Sequence, residues 1–219
     1  EDQLIVLSHV GQAAAGGLLL VGQAKQGDRV LVSAAAGATG SIAAQLARSL
    51  GCYTVGIAGS EEKCRHLVEE LGLDAAIDYR TADVPRELAR HFPEGVDVYF
   101  DNVGGQLLDD VLSHMARGCR IVVCGAIAQY DSAGRAGNAG LRNVPMLIFK
   151  QARMEGFVAG QFGERNGELV ARLLQLYREG RLRVRSHVVD FESIPSALEL
   201  LLSGRNTGKL MARVAGAGS

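Results

Sequence analysis

The chain has 219 residues, 47% of them hydrophobic and 21% charged, with 28 glycines, no tryptophan and a formal net charge of -1. That is enough apolar material for a sizeable core, which excludes a disordered chain, and the near-neutral balance gives no reason to expect nucleic acid or an anionic membrane as partner. Cys52, Cys64, Cys119 and Cys124 form no CxxC pair and no His/Cys cluster has zinc-ligand spacing, so neither a disulfide framework nor a metal site is expected, and the thiols read as reduced ones in a cytoplasmic protein.

The first 26 residues read as a hinge and helix. Their most lipophilic stretch, Ala13 to Val21, is far shorter than the ~20 residues a membrane span needs, and no basic segment precedes it. Short β-branched runs follow: "RVLVSA" from Arg29, "CYTVGIA" from Cys52, a third ending at Tyr79, "VDVYFD" from Val96, "CRIVVCG" from Cys119 and "MEGFVA" from Met154. Between them the spacing predicts helices over Ser41 to Leu50, Glu61 to Leu71 and Gly105 to Met115. Near-continuous apolar strands separated by amphipathic helices imply a doubly wound parallel α/β sheet, covered on both faces, over residues 27–160. Asp131 to Asn143 is rich in Gly, Ala, Ser and Arg and reads as a surface loop. Residues 161–219 complete the fold with a helix over Gly167 to Glu179, a strand over Arg183 to Asp190, and a helix from Ile194 to Ser203 closed by Gly204.

The first strand runs into Ala35-x-Gly37-x-x-Gly40, and the helix then begins near Ser41. Small residues at a strand-to-helix turn let backbone N–H groups and the positive end of the helix dipole approach a pyrophosphate. Ala35 stands where the usual fingerprint has its first glycine, so the turn by itself also fits a tight connection in any α/β protein. About 20 residues on, a site for NAD places an acid on the ribose 2′-hydroxyl. Here Ile57, Ala58, Gly59 and Ser60 stand there, followed by Lys63 and Arg65, which suit a 2′-phosphate and hence NADP(H). The same charges also fit an ordinary solvated first helical turn.

The motifs "GDRVLVSAAAGATG", "GIAGSEEKC", "AAIDY", "DVYFDNVGG", "CGAIAQY", "RMEGFV" and "GRNTGK" appear in the order seen in zinc-independent medium-chain reductases. From about Gly27 to Val214 the chain resembles the NADP-dependent alkenal double-bond reductases of that family, which include prostaglandin reductase. The resemblance implies a Rossmann domain binding NADPH and an enzyme that reduces the C=C bond of an α,β-unsaturated ketone or aldehyde, of the 15-oxoprostaglandin or 2-alkenal type. It further implies that Gly37, Ala38, Thr39 and Gly40 hold the pyrophosphate and that Ser60, Lys63 and Tyr79 hold the adenosine phosphate end. Asn102 matches a ribose or nicotinamide contact, Cys124, Gly125, Ala126, Ile127 and Tyr130 a loop passing the nicotinamide, Phe157 and Val158 its amide, and Asn206 a late cofactor contact. Tyr130 is the expected catalytic donor to the substrate carbonyl, and Cys124 is expected to pack under the nicotinamide.

Family members carry an amino-terminal GroES-like catalytic domain, which is largely absent from this sequence. "GQAAAGG" from Gly11 lacks the hydroxyl found in relatives, and Val144 stands where a bulkier apolar residue is common, so the substrate pocket is expected to be incomplete. A nucleotide-binding module without turnover and an NADPH quinone reductase are the alternatives. The resemblance further implies a homodimer, since relatives pair their sheet edges through the cofactor domain, and the run "MEGFVAG" is apolar enough to be such an edge strand.

Overall fold

The computed structural model describes residues 2–129 and 140–214. The helices α1 (Asp2–Leu7) and α2 (His9–Gly16) lead the chain in, and α2 continues through a π-turn over Gly17–Val21. Strand and helix then alternate: β1 (Arg29–Val32), α3 (Ala38–Ser49), β2 (Tyr53–Ala58), α4 (Glu61–Arg65), β3 (Ala75–Asp78), α5 (Val84–His91), β4 (Val96–Asp101), α6 (Gly105–Ser113) and β5 (Met115–Val123). After the undescribed stretch come α7 (Met146–Lys150), β6 (Arg153–Gly156) and α8 (Arg165–Arg178), and the chain closes with β7 (Ser186–Asp190), α9 (Ile194–Leu202) and β8 (Lys209–Arg213).

Six strands form one parallel sheet in the order β3-β2-β1-β4-β5-β6, the doubly wound arrangement expected of the sequence. The strand order reverses direction between β1 and β4, and ligands of such open sheets bind outside the carboxyl ends of the strands at that switch. The apolar run of β1 serves both faces. Val30 and Val32 enter a core shared with α2, α3 and α8, while Leu31 enters a second core with Leu88, Val111 and Leu112. Helix α3 lies between the sheet and α2, and every residue from Gly40 to Ala47 is buried, which its small side chains permit.

Several elements depart from the sequence expectation, the short helix α7 among them. Helix α3 starts at Ala38 rather than near Ser41, because the glycine-rich turn is itself the first helical turn. Helix α5 is unforeseen; Asp83 caps it by accepting from the Arg86 N–H, and Leu88 and Phe92 anchor it. Strand β8 is also unforeseen. It pairs in parallel with β7 as a separate two-stranded sheet, so the carboxyl-terminal segment forms its own layer and does not extend the main sheet. The expected loop from Asp131 falls almost wholly outside the described residues. Among the described residues no helix is long and apolar enough to cross a membrane.

Candidate functional site

The switch point is built from the turn after β1. Ala34 adopts a φ of 47°, a left-handed conformation that costs roughly 1 to 2 kcal/mol for a residue with a Cβ. Gly37 N–H donates to the Ala34 carbonyl at 2.9 Å, and Gly37 then becomes the N-cap of α3, where no side chain caps the helix. The start of α3 thus carries the positive end of its dipole with no capping side chain, an arrangement that suits an anion, and Gly37 pairs there in parallel with Gly208. A Cβ on Gly40 would meet the Ala34 carbonyl oxygen at 2.4 Å, so only glycine lets helix and strand approach this closely.

Next to this turn, Ser60 follows β2 and its Oγ accepts the Lys63 N–H at 3.2 Å. The Lys63 ammonium donates to the carbonyls of Gly204 and Asn206, both at 2.6 Å. Burial, and after it the nearby Arg80 cation, lowers the Lys63 pKa from its usual value. Tyr79 follows β3 and stands half exposed, its ring over the bare Cα of Gly59. The Asn206 amide donates to the Gly208 carbonyl at 3.2 Å, and Gly208 N–H donates to the Ala36 carbonyl at 2.8 Å. The glycine turn, the Ser60–Lys63 segment and the turn before β8 therefore meet.

On the other side of the switch, β1 and β4 are locked by a buried polar network. Ser33 Oγ donates to Asp101 Oδ1 at 3.0 Å and accepts the Asn102 N–H at 2.8 Å. The buried Asp101 carboxylate also accepts from the Tyr99 hydroxyl at 2.8 Å and from the N–H groups of Val103 and Gly104 at 3.0 and 3.1 Å. Burial, reinforced by Asp101, raises the Tyr99 pKa well above its usual value, so that hydroxyl stays a donor. Gly104, at φ 71° and ψ -154°, occupies a region that only glycine adopts readily, and this lets its N–H turn back onto the carboxylate.

Asn102 donates its side-chain amide to the Ser33 carbonyl at 2.7 Å, so its Oδ1 is the atom that could meet a ligand donor. Residues 124–128 are hung on the same loop: Cys124 and Gly125 donate to the Asp101 carbonyl, Ile127 to that of Asn102 and Ala128 to that of Val103. Burial, then the Asp101 charge, pushes the Cys124 thiol up to about 12, which makes it a packing group and no nucleophile at neutral pH.

The side chains of Phe157 and Val158 point to opposite sides. The chain leaves β6 at Gly156 and the two side chains part: Phe157 packs into the core beside Gly17 and Phe162, whereas Val158 is 70% exposed and its N–H donates to Gln161 Oε1. Tyr130 lies outside the described residues. Ser33, Asp101 and Arg80 were not anticipated. The signal for the first two was present, since Ser33 directly follows the apolar run of β1 and Asp101 directly follows that of β4.

Residues 38–176 match the family model described as zinc-binding dehydrogenase. The chain belongs to that family. Among the described residues no group of three or more His, Cys, Asp or Glu side chains could hold a metal ion. The domain is 37% identical over 217 residues to the NADPH-dependent curcumin reductase of Escherichia coli (strain K12), covering 96% of this chain and 62% of that protein. It is 40% identical over 211 residues to the 2-alkenal reductase (NADP(+)-dependent) of Nicotiana tabacum, covering 95% of this chain and 61% of that protein. The crystal structure of CurA in complex with NADPH from Vibrio vulnificus superimposes with a TM-score of 0.88 at 38% identity, over 96% of this chain and 64% of that one. The domain thus spans about three-fifths of the length of these relatives. The resemblance to medium-chain reductases extends over nearly all of it.

Proposed function

We propose that this chain is the cofactor-binding half of an NADPH-dependent reductase that saturates the C=C bond of α,β-unsaturated ketones and aldehydes. The observation that supports it most directly is the meeting of an uncapped glycine turn with Lys63 at the sheet's switch point, in a chain 40% identical to a plant 2-alkenal reductase. When bound, NADPH would supply a hydride for the β-carbon of the enone while the α-carbon takes a proton, and the carbonyl oxygen would need a hydrogen-bond donor as charge develops on it.

The chain's own residues bind and orient. Backbone N–H groups of Ala38, Thr39 and Gly40 hold the pyrophosphate, and Ser60, Lys63 and Tyr79 hold the adenosine phosphate. Asn102 Oδ1 and the 124–127 segment wall the nicotinamide end, with Val158 and Asn206 at its margins. Tyr130 donates a hydrogen bond to the substrate carbonyl, where a donor stabilises the developing charge.

Two copies pair through β6. This outer strand is exposed along its length, and Ile148, Phe149 and Val158 around it are 77%, 75% and 70% exposed, an apolar edge that a second chain would cover. Four free cysteines accord with a reducing cytoplasm.

The deciding experiment titrates the protein with NADPH and separately with NADH, follows cofactor fluorescence, and then adds a small enone. NADPH-selective binding with enone turnover supports the reductase. Selective binding without turnover points to a nucleotide-binding module, turnover of quinones alone points to a quinone reductase, and the absence of binding overturns all three.

A further inference from the structure

We propose that Arg80 is a second cation for the adenosine 2′-phosphate and that, with Lys63, it sets the preference for NADPH over NADH. The proposal rests on the dinucleotide reading above.

Arg80 stands directly after Tyr79, beyond the carboxyl end of β3, next to the end of β2. Its backbone N–H donates to Asp78 Oδ1 at 3.0 Å, which fixes the start of the turn. Its guanidinium lies over the Tyr79 ring, 5.8 Å from the centroid, and donates to the Ser203 carbonyl at 3.3 Å. Lys63 donates to Gly204 and Asn206 of the same turn. Two cations from different strand ends thus converge on one short segment, and both are satisfied there by neutral carbonyls. Neither forms an ion pair with a carboxylate among the described residues.

The position that would oppose an anion is also vacated. Gly59 follows β2 where an acid would hold a ribose hydroxyl, and a Cβ there would come within 2.8 Å of the Tyr79 ring and 3.2 Å of Arg80 Nε. The guanidinium therefore occupies ground that a side chain at this position would claim. A phosphate dianion is a stronger acceptor for both cations than the carbonyls they now hold, and a guanidinium can engage it through two parallel N–H groups. The repulsion that Arg80 exerts on Lys63 is relieved when such an anion sits between them. A ribose 2′-hydroxyl offers neither gain, so the pair discriminates between the two dinucleotides.

Fluorescence titrations of NADPH and NADH with the native protein, Arg80→Ala, Arg80→Lys and Lys63→Ala test this. Arg80 is exposed, so its replacement leaves the core intact. In Arg80→Ala the affinity for NADPH should fall roughly ten-fold or more, as expected for loss of a charged hydrogen bond, while that for NADH stays the same; Arg80→Lys should recover part of the loss. If Arg80→Ala leaves the NADPH/NADH ratio untouched while Lys63→Ala abolishes it, the role of Arg80 is overturned and the reading of Lys63 stands. A native protein with no preference between the two overturns the phosphate reading itself, and Arg80 with it.

Discussion

The Lys63 ammonium donates to the carbonyl oxygen of Asn206 at 2.6 Å across 143 residues of sequence. This contact joins the end of the second strand to the last turn of the fold, and it holds a positive charge in partial burial beside a second cation, so the Lys63 pKa lies below its usual value. A bound phosphate favours the protonated lysine. Affinity for NADPH should therefore fall as the pH rises through the lowered pKa, earlier than an exposed lysine with a pKa near ~10.4 would allow. Lys63→Arg, which keeps its charge throughout this range, should abolish that alkaline limb. Dissociation constants for NADPH measured from about pH 7 to 10 in both proteins check it.

Asp101 should matter to stability out of proportion to its size. It accepts from Ser33, Tyr99, Val103 and Gly104 while fully buried, so Asp101→Ala leaves two buried hydroxyls and two N–H groups without their acceptor. A loss of about 3 to 5 kcal/mol is expected in urea unfolding. Asp101→Asn keeps one acceptor oxygen and should cost less. Equal stability of Asp101→Ala and the native chain would show that the network has no net value.

The fold was readable because β1, β2 and β4 are largely apolar, and a parallel sheet covered on both faces buries such runs. The glycine turn and Lys63 were readable because their chemistry is local to a strand end. What escaped was set by tertiary placement. Strand β8 is short and mixed in character, and it becomes a strand only by pairing with β7. Arg80 looks like any exposed arginine until the fold brings Ser203 beside it. Phe157 and Val158 are adjacent in an expected strand, whose alternation sends them to opposite faces, but only the fold shows which of the two enters the core.

Gly40 and Gly37 make a paired test of the turn. An alanine Cβ at Gly40 would lie 2.4 Å from the Ala34 carbonyl oxygen and 3.0 Å from the Ala35 Cα, both backbone atoms that cannot swing aside. At Gly37 the nearest approach is 3.1 Å, which a small shift accommodates. Gly40→Ala should thus cost about 1 to 3 kcal/mol through overpacking and weaken NADPH binding by displacing the helix start. Gly37→Ala should be milder in both respects. Thermal melts and NADPH titrations of the two variants decide it; a Gly37→Ala variant worse than Gly40→Ala would mean that the turn's tight point has been misplaced.

Cys124 follows β5 and its N–H donates to the Asp101 carbonyl, beside the buried polar network at the switch. Burial, and then the charge of Asp101, raises its pKa to about 12, and burial likewise raises Cys119 to about 12 and Cys52 and Cys64 to about 11. At pH 8 the thiolate fraction of Cys124 is then roughly a thousand-fold below that of an ordinary thiol. Iodoacetamide should label it in the native protein far more slowly than in urea, with Cys119 equally slow and Cys52 and Cys64 somewhat faster; peptide mass spectrometry reads each site separately. The same shifts fix a sign for stability. Each thiol has a higher pKa folded than unfolded, so its contribution is fully present below the unfolded value of 9.0 and is lost as the pH rises toward the folded one. The protein should therefore weaken progressively above about pH 9, and Cys124→Ala should blunt that alkaline loss. Rapid native labelling of Cys124 would overturn its assignment as a packing group and make it a candidate nucleophile.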